Sequence, residues 1–198
     1  MRKLLLVIFV YTAICFGCAP ADTTTNTNTN SNAYSNTNST AVVSPAASPV
    51  RSQPQQDDNT FASNVAQNGM AEIALAKMAI QKSKNADVKR FAQRVVTDHT
   101  KVGEDLKKIA ATKKITMPTD VKPEQKQTHD RFMSLSGADF DREFMSLMAE
   151  NHDKSVTAFQ GEANNGTDPE LKAFASKTLP TLQEHQRMAH DIYNKLGQ

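Results

Sequence analysis

Tryptophan is absent, glycine accounts for only 7 of 198 residues, and aromatic side chains make up 6%. With so little glycine there is no phosphate-cradling loop, and the scarcity of Val, Ile and aromatic runs excludes a β-sandwich or barrel. An excess of charge is also missing. The 23 Lys and Arg against 21 Asp and Glu leave a formal charge of +2, too weak a field to hold nucleic acid or an anionic membrane surface. Both of the 2 cysteines lie in the first 18 residues, no Gly-x-Ser-x-Gly occurs, and no carboxylate pair stands out for acid and base work. These absences argue against an enzyme. What is present is material for amphipathic helices, enough for one all-α domain with a long N-terminal extension.

The extension begins as an export signal. Met1, Arg2 and Lys3 precede an apolar run from Leu4 to Phe16, shorter than the roughly 20 residues that span a bilayer. The run closes on Cys15-Phe16-Gly17-Cys18-Ala19, which resembles the processing site of bacterial lipoproteins, with Cys18 the residue that would carry the lipid anchor. Cys15 stands where that pattern usually has Leu, so ordinary signal cleavage is the alternative. Ala19 after the cysteine matches sorting to the outer membrane from the periplasm, with the membrane itself as partner. Residues 19–60 are rich in Thr, Asn, Ser and Pro and bury almost nothing, so they read as a disordered tether with a reach of roughly 35 Å.

From residue 61 to 198 apolar residues recur at helical spacing. A first long helix is expected from Phe61 to Ser83, capped by Asp58, Asn59 or Thr60, and a second from the break at Asn85-Ala86-Asp87 to about Thr112. A short connector helix from Glu124 to Leu135 follows two prolines. The third long helix opens at Ser136-Gly137-Ala138-Asp139 and the fourth at Thr167-Asp168-Pro169-Glu170, both read as capping boxes. Pro180 predicts a bend inside the fourth. Two antiparallel pairs joined by a crossover make a ferritin-like four-helix bundle, with a simple up-down bundle as the alternative.

One polar residue per long helix points inward: Glu72 at the edge of its stripe, flanked by Gly69 and Ala76, and His99, His152 and His185 within theirs. A buried carboxylate is costly unless paired, and each imidazole needs partners for two nitrogens, so these groups satisfy one another, water or a metal. Counting about 1.5 Å per residue from the turns puts Glu72 level with His99. The same count separates His152 from His185 by roughly 10 Å in height, which argues against one site holding all three histidines. The Glu-x-x-His motif of carboxylate-bridged two-metal bundles is missing, since Val96, Ala149 and Leu182 occupy the places three residues before the histidines. A single transition-metal ion, zinc, iron or copper, held by Glu72, His99 and a further His remains possible chemistry. Met145, Met148 and Met188 add soft donors that would favour monovalent copper, although Met is also the usual filler of irregular cores. Asp98, Asp153 and Glu184 lie about 100° round the helix from the neighbouring histidine and read as solvated, and His129 and His190 read as surface residues.

Glu72-Ile73, Phe91-Ala92, Thr97-Asp98-His99, Ser136-Gly137-Ala138-Asp139-Phe140-Asp141, His152 and Thr178-Leu179-Pro180-Thr181-Leu182 resemble an exported bacterial family, the domain of unknown function 4142 family, whose members are labelled outer membrane proteins. The resemblance spans about Phe61 to Gly197 and implies a ferritin-like helical bundle in the cell envelope without an established reaction. It marks Glu72, Asp98, His99, Asp141, His152, Pro180 and His185 as positions of interest. Asp141 would pair with a histidine or cap its own helix. Two functions follow: a lipid-anchored, non-enzymatic envelope protein with an interaction or stress-related role and a structural polar interior, or a metal-binding bundle with a Glu/His site.

Overall fold

The computed structural model describes residues 57–197. The export signal, Cys18 and the tether up to residue 56 lie outside the described residues. Five helices form the described part, with no strand: α1 (Asp58–Lys82), α2 (Ala86–Lys113), α3 (Pro123–Ser134), α4 (Gly137–Asn165) and α5 (Pro169–Leu196). None of them is long and apolar enough to cross a membrane.

Short connections make α1 and α2, and likewise α4 and α5, antiparallel hairpins. The hairpins then face one another, α1 against α4 and α2 against α5. Phe61 at the start of α1 meets Phe159 late in α4, and Lys82 at the end of α1 lies over the ring of Phe140 early in α4. On the other side Lys113 at the end of α2 pairs with Asp168 at the head of α5. α3 runs along the outside of α1. Lys122 reaches Asn64, Gln125 reaches Asn68, and Lys82 donates to the carbonyls of Phe132 and Met133. The connector therefore carries the chain from one end of the bundle to the other, so that α4 runs in the same direction as α2.

The helix starts differ from the caps expected of them. α1 has Asp57 at its N-cap without a side-chain bond, and the Asp58 carboxylate instead accepts from Thr167 N, Thr167 Oγ1 and Asp168 N. It ties the first turn of α1 to the connection between α4 and α5. At α4, Ser136 makes no cap bond: Gly137 enters at φ 60°, not the helical conformation a capping box needs directly after its Ser. At α5 the cap is Asp168, not Thr167, accepting from Glu170 N and Leu171 N with Pro169 in the first turn. Asn85 caps α2 in the same way through Asp87 N and Val88 N. α5 continues through Pro180, whose missing N–H is tolerated without ending the helix.

The interior is stratified. One apolar core contains Leu75, Phe91, Val95, Phe132, Phe140, Phe144, Met145 and Met148, and a second contains Phe61, Leu106, Val156, Phe159, Leu171, Phe174 and Leu182. Along every long helix the two cores are separated by one buried polar position: Glu72, His99, His152 and His185. At the end of the second core lies an acidic cluster of Asp58, Glu162 and Asp168. Gly166 lets the chain pass there, because a Cβ would sit 2.6 Å from Glu162 Oε1.

Candidate metal centre

The polar layer brings three imidazoles together. His99 from α2, His152 from α4 and His185 from α5 each offer one ring nitrogen, and these three atoms all lie within 4.8 Å of one another. The rings of His99 and His185 stack at 5.4 Å with 13° between planes, and His152 stands edge-on to both. Phe91 packs edge-on against His152 and His185, closing the layer on the side of the first core. This overturns the 10 Å offset expected between His152 and His185. The count from the sequence ran to a single turn residue and so treated the connection between α4 and α5 as helical rise. Measured from the helix ends themselves, His152 is 13 residues before Asn165 and His185 is 16 after Pro169, a difference of about 4.5 Å that the packing absorbs.

The outer nitrogen of each ring is held by an acceptor, and that fixes the inner one. His99 Nδ1 donates to Glu72 Oε2 at 3.0 Å, His152 Nδ1 to the carbonyl of Met148 at 2.8 Å, and His185 Nε2 to Asp98 Oδ2 at 2.8 Å. A carbonyl or carboxylate can only accept, so each of these nitrogens carries the proton and the opposite nitrogen presents a lone pair. Those opposite atoms, His99 Nε2, His152 Nε2 and His185 Nδ1, are buried without a hydrogen-bond partner. Three acceptors thus face one point with no donor among the described residues to meet them.

Electrostatics keeps two of the rings in this form. Burial pushes the pKa of His152 down, and burial together with the neighbouring His99 lowers that of His185 to about 4 against the pull of Asp98. Both are neutral at pH 7, the form that binds metal. Burial acts to raise the Glu72 carboxyl, but the hydrogen bond donated by His99, with the fields of the His99 and His152 rings and the Asn151 amide nearby, outweighs it and leaves Glu72 below the usual carboxylate range. An ionised carboxylate therefore sits 2% exposed beside the three rings.

The remaining candidates separate clearly. Glu72 stands behind His99 as its hydrogen-bond acceptor, and the three-nitrogen cluster forms without it. Asp98 is not solvated as expected: it is 27% exposed, bridges His185 to Arg94, and turns toward α5 rather than toward its neighbour His99. Arg94 in turn grips Glu184 with two bonds of 2.8 and 2.9 Å. Asp153 pairs with His190 and Gln186 near the surface, and His129 is half-buried beside Asp130. Asp141 is buried eleven residues from His152, about 16 Å along α4, and its Oδ1 has no partner. It neither pairs with a histidine nor caps α4, whose N-cap is Ser136. Met145 and Met148 pack into the first core, with Met188 against it. The carbonyl of Met148 and the side chain of Asp98 are the two supports for the histidines that the spacing of residues did not reveal. Asp98 carried a signal only through its place in the Thr97-Asp98-His99 motif, since the element it faces depends on how the helices are rotated.

Among solved structures, the chain resembles a DUF305 fragment from Deinococcus radiodurans (15% identity, TM-score 0.62, covering 72% of this chain and 97% of that one). It also resembles a DUF305 protein from Streptomyces coelicolor described as secreted (13% identity, TM-score 0.61, 72% and 94%). CopM in its Cu(II)-bound form is a third (19% identity, TM-score 0.61, 71% and 98%). At such identities the likeness concerns the fold. No curated protein matches the sequence. The model of DUF4142, a domain of unknown function, matches residues 43–192, and the chain belongs to that family.

Proposed function

We propose that the protein is a non-enzymatic, exported metal-binding bundle of ferritin-like topology, and that His99, His152 and His185 hold a single copper ion. The observation that carries this reading is the convergence of three partnerless imidazole lone pairs, each oriented by an acceptor behind it. Imidazole–carboxylate pairs of this kind set tautomer and basicity in metal sites, and Glu72 and Asp98 are so placed. The donor set is three neutral nitrogens, which suits copper or zinc and leaves an open position on the ion. Structures of CopM with Cu(I), Cu(II) and silver support copper over zinc. A bound cation would also compensate the buried charge of Glu72, which no Lys or Arg contacts among the described residues. The crossover along α3 and the two antiparallel hairpins support the ferritin-like assignment. Export agrees with the secreted DUF305 neighbour and with the apolar N-terminal run. A lipid on Cys18 would hold the protein at the outer membrane.

Metal analysis of protein purified without a histidine tag tests the centre. One equivalent of copper, lost in His152→Ala, is the expected result. Less than a tenth of an equivalent, with no change in melting temperature on adding copper, zinc or iron, would leave the polar layer a structural network. Binding of zinc in preference to copper would correct the metal but keep the site. For the anchor, Cys18→Ser should release the protein from membranes, and unchanged partitioning would defeat that part.

A further inference from the structure

Gly69 on α1 and Gly103 on α2 both face open space, since a Cβ on either would meet nothing within 4 Å. They line a cavity of about 450 Å³ between α1, α2, α4 and the segment leading to α3. That is room for about fifteen waters at roughly 30 Å³ each. Its walls are apolar, with Val65, Ile73, Val102, Met117, Phe159 and Leu182. Two members of the polar layer, Glu72 and His99, also line it, whereas His152 and His185 do not and are fully buried. His99 is 8% exposed, so the triad meets the cavity through its least buried ring.

The charges lining the cavity do not suit a bare cation. Lys107, Lys122 and Lys154 outnumber Glu72 and Glu104 along the lining, and the largely apolar wall offers little to replace an ion's hydration shell. The volume, the apolar walls and the basic side chains fit an ion that arrives already wrapped in an organic anion. We infer that this cavity is the loading port of the histidine site, and that it takes up the metal as a complex with a small anionic chelator. The inference rests on the metal-binding reading above. At the inner end the ion exchanges donors without changing oxidation state. Its bonds to the chelator break as bonds to the imidazole nitrogens form, and the chelator leaves with its own lone pairs. Because the inner nitrogens already carry free lone pairs, no proton has to depart.

Stopped-flow measurement of copper(II) uptake, followed by the absorption of the copper–imidazole complex, tests the port with copper supplied as its citrate complex and as copper sulfate at pH 6. Gly69→Leu combined with Gly103→Leu fills the cavity, and both changes favour helix. Loading from citrate should slow at least tenfold while equilibrium affinity stays within twofold, and Gly161→Leu on α4, which faces open space away from this cavity, should load at the wild-type rate. Lys107→Glu with Lys154→Glu should slow loading from citrate but not from copper sulfate. Unchanged rates in the filled variant would overturn the port, as would an affinity that falls in step with the rate. Equal slowing from both copper sources in the lysine variant would overturn the anionic complex as cargo. If the wild-type protein binds no copper at all, the failure lies with the site itself. Melting curves of each single glycine variant confirm that a slow rate reflects a blocked path in a folded protein.

Discussion

Two of the places where the bundle buries ionisable groups are built on opposite principles. In the mid-bundle layer every imidazole proton has an acceptor, and what is left over is three imidazole lone pairs and one oxygen of Glu72. In the cluster at the α4–α5 connection carboxylates crowd one another. Burial, then the charge and hydrogen bond of Asp58, with Asp168 and Asp57 behind it, push Glu162 up to about 7. The first arrangement favours a cation from outside, whereas the second answers its crowding by holding a proton. Like-charge contact is relieved by protonation, but convergent lone pairs are not where burial depresses the pKa of two of the rings, His152 and His185.

The largest effect expected tests whether the layer depends on the apolar core beside it. Phe91→Ala removes a fully buried ring that touches Phe144, His152 and His185, and should cost about 4 kcal/mol in chemical denaturation. It should also weaken copper binding, whereas a comparable truncation of Phe174 in the second core should cost stability alone.

Removing a donor comes next. His185→Ala should weaken copper affinity at least a hundredfold, about 2.7 kcal/mol, in competition titrations. The apo-protein should lose less stability than a buried Phe deletion costs, because the imidazole is smaller than a phenyl ring and only its bond to Asp98 is lost.

The pH dependence should run in opposite directions at the two places. His185 has its folded pKa lowered to about 4 from 6.5, so its contribution is present above pH 6.5 and is lost as pH falls toward 4. Glu162 has its folded pKa raised from 4.5 to about 7, so its contribution is present below pH 4.5 and is lost as pH rises through 7. Glu162→Gln should flatten the decline between pH 4.5 and 7, by on the order of 2 kcal/mol, and leave the acid limb untouched. A melting temperature with the same pH profile in both proteins would remove the distinction between the two clusters.

Smaller still, Glu72→Gln keeps the shape beside His99 but removes the charge, and copper affinity should fall about tenfold with the fold intact. Asn85→Ala, which deprives α2 of its cap far from either cluster, should cost about 1 kcal/mol and leave metal binding unchanged.

Much of this architecture was legible in the pattern of apolar residues. The helices and the connector lie within about three residues of their expected ends, because stripes such as Phe91, Val95 and His99 repeat with the helical period. Pro169 and Asp168 marked the start of α5 through local chemistry alone. The four inward polar positions could be read for the same reason: they interrupt apolar stripes. Their convergence could not, because height along a bundle depends on where the helices stop, and residues 166–168 add chain without adding rise. Nor could the bond from Asp98 to His185, which depends on how α5 is rotated about its own axis. The cavity beside Gly69 and Gly103 was out of reach as well, since small residues on a helix signal close packing as readily as they signal empty space.

The three imidazoles come from both hairpins, one from α1–α2 and two from α4–α5, and Glu72 links the remaining helix to them. An ion seated there would act as a rivet through the whole molecule, joining halves that otherwise meet mainly through side-chain contacts across their faces. Its arrival would then be felt as mechanical stiffening at every helix, and the domain would register the surrounding supply of metal in how readily it comes apart.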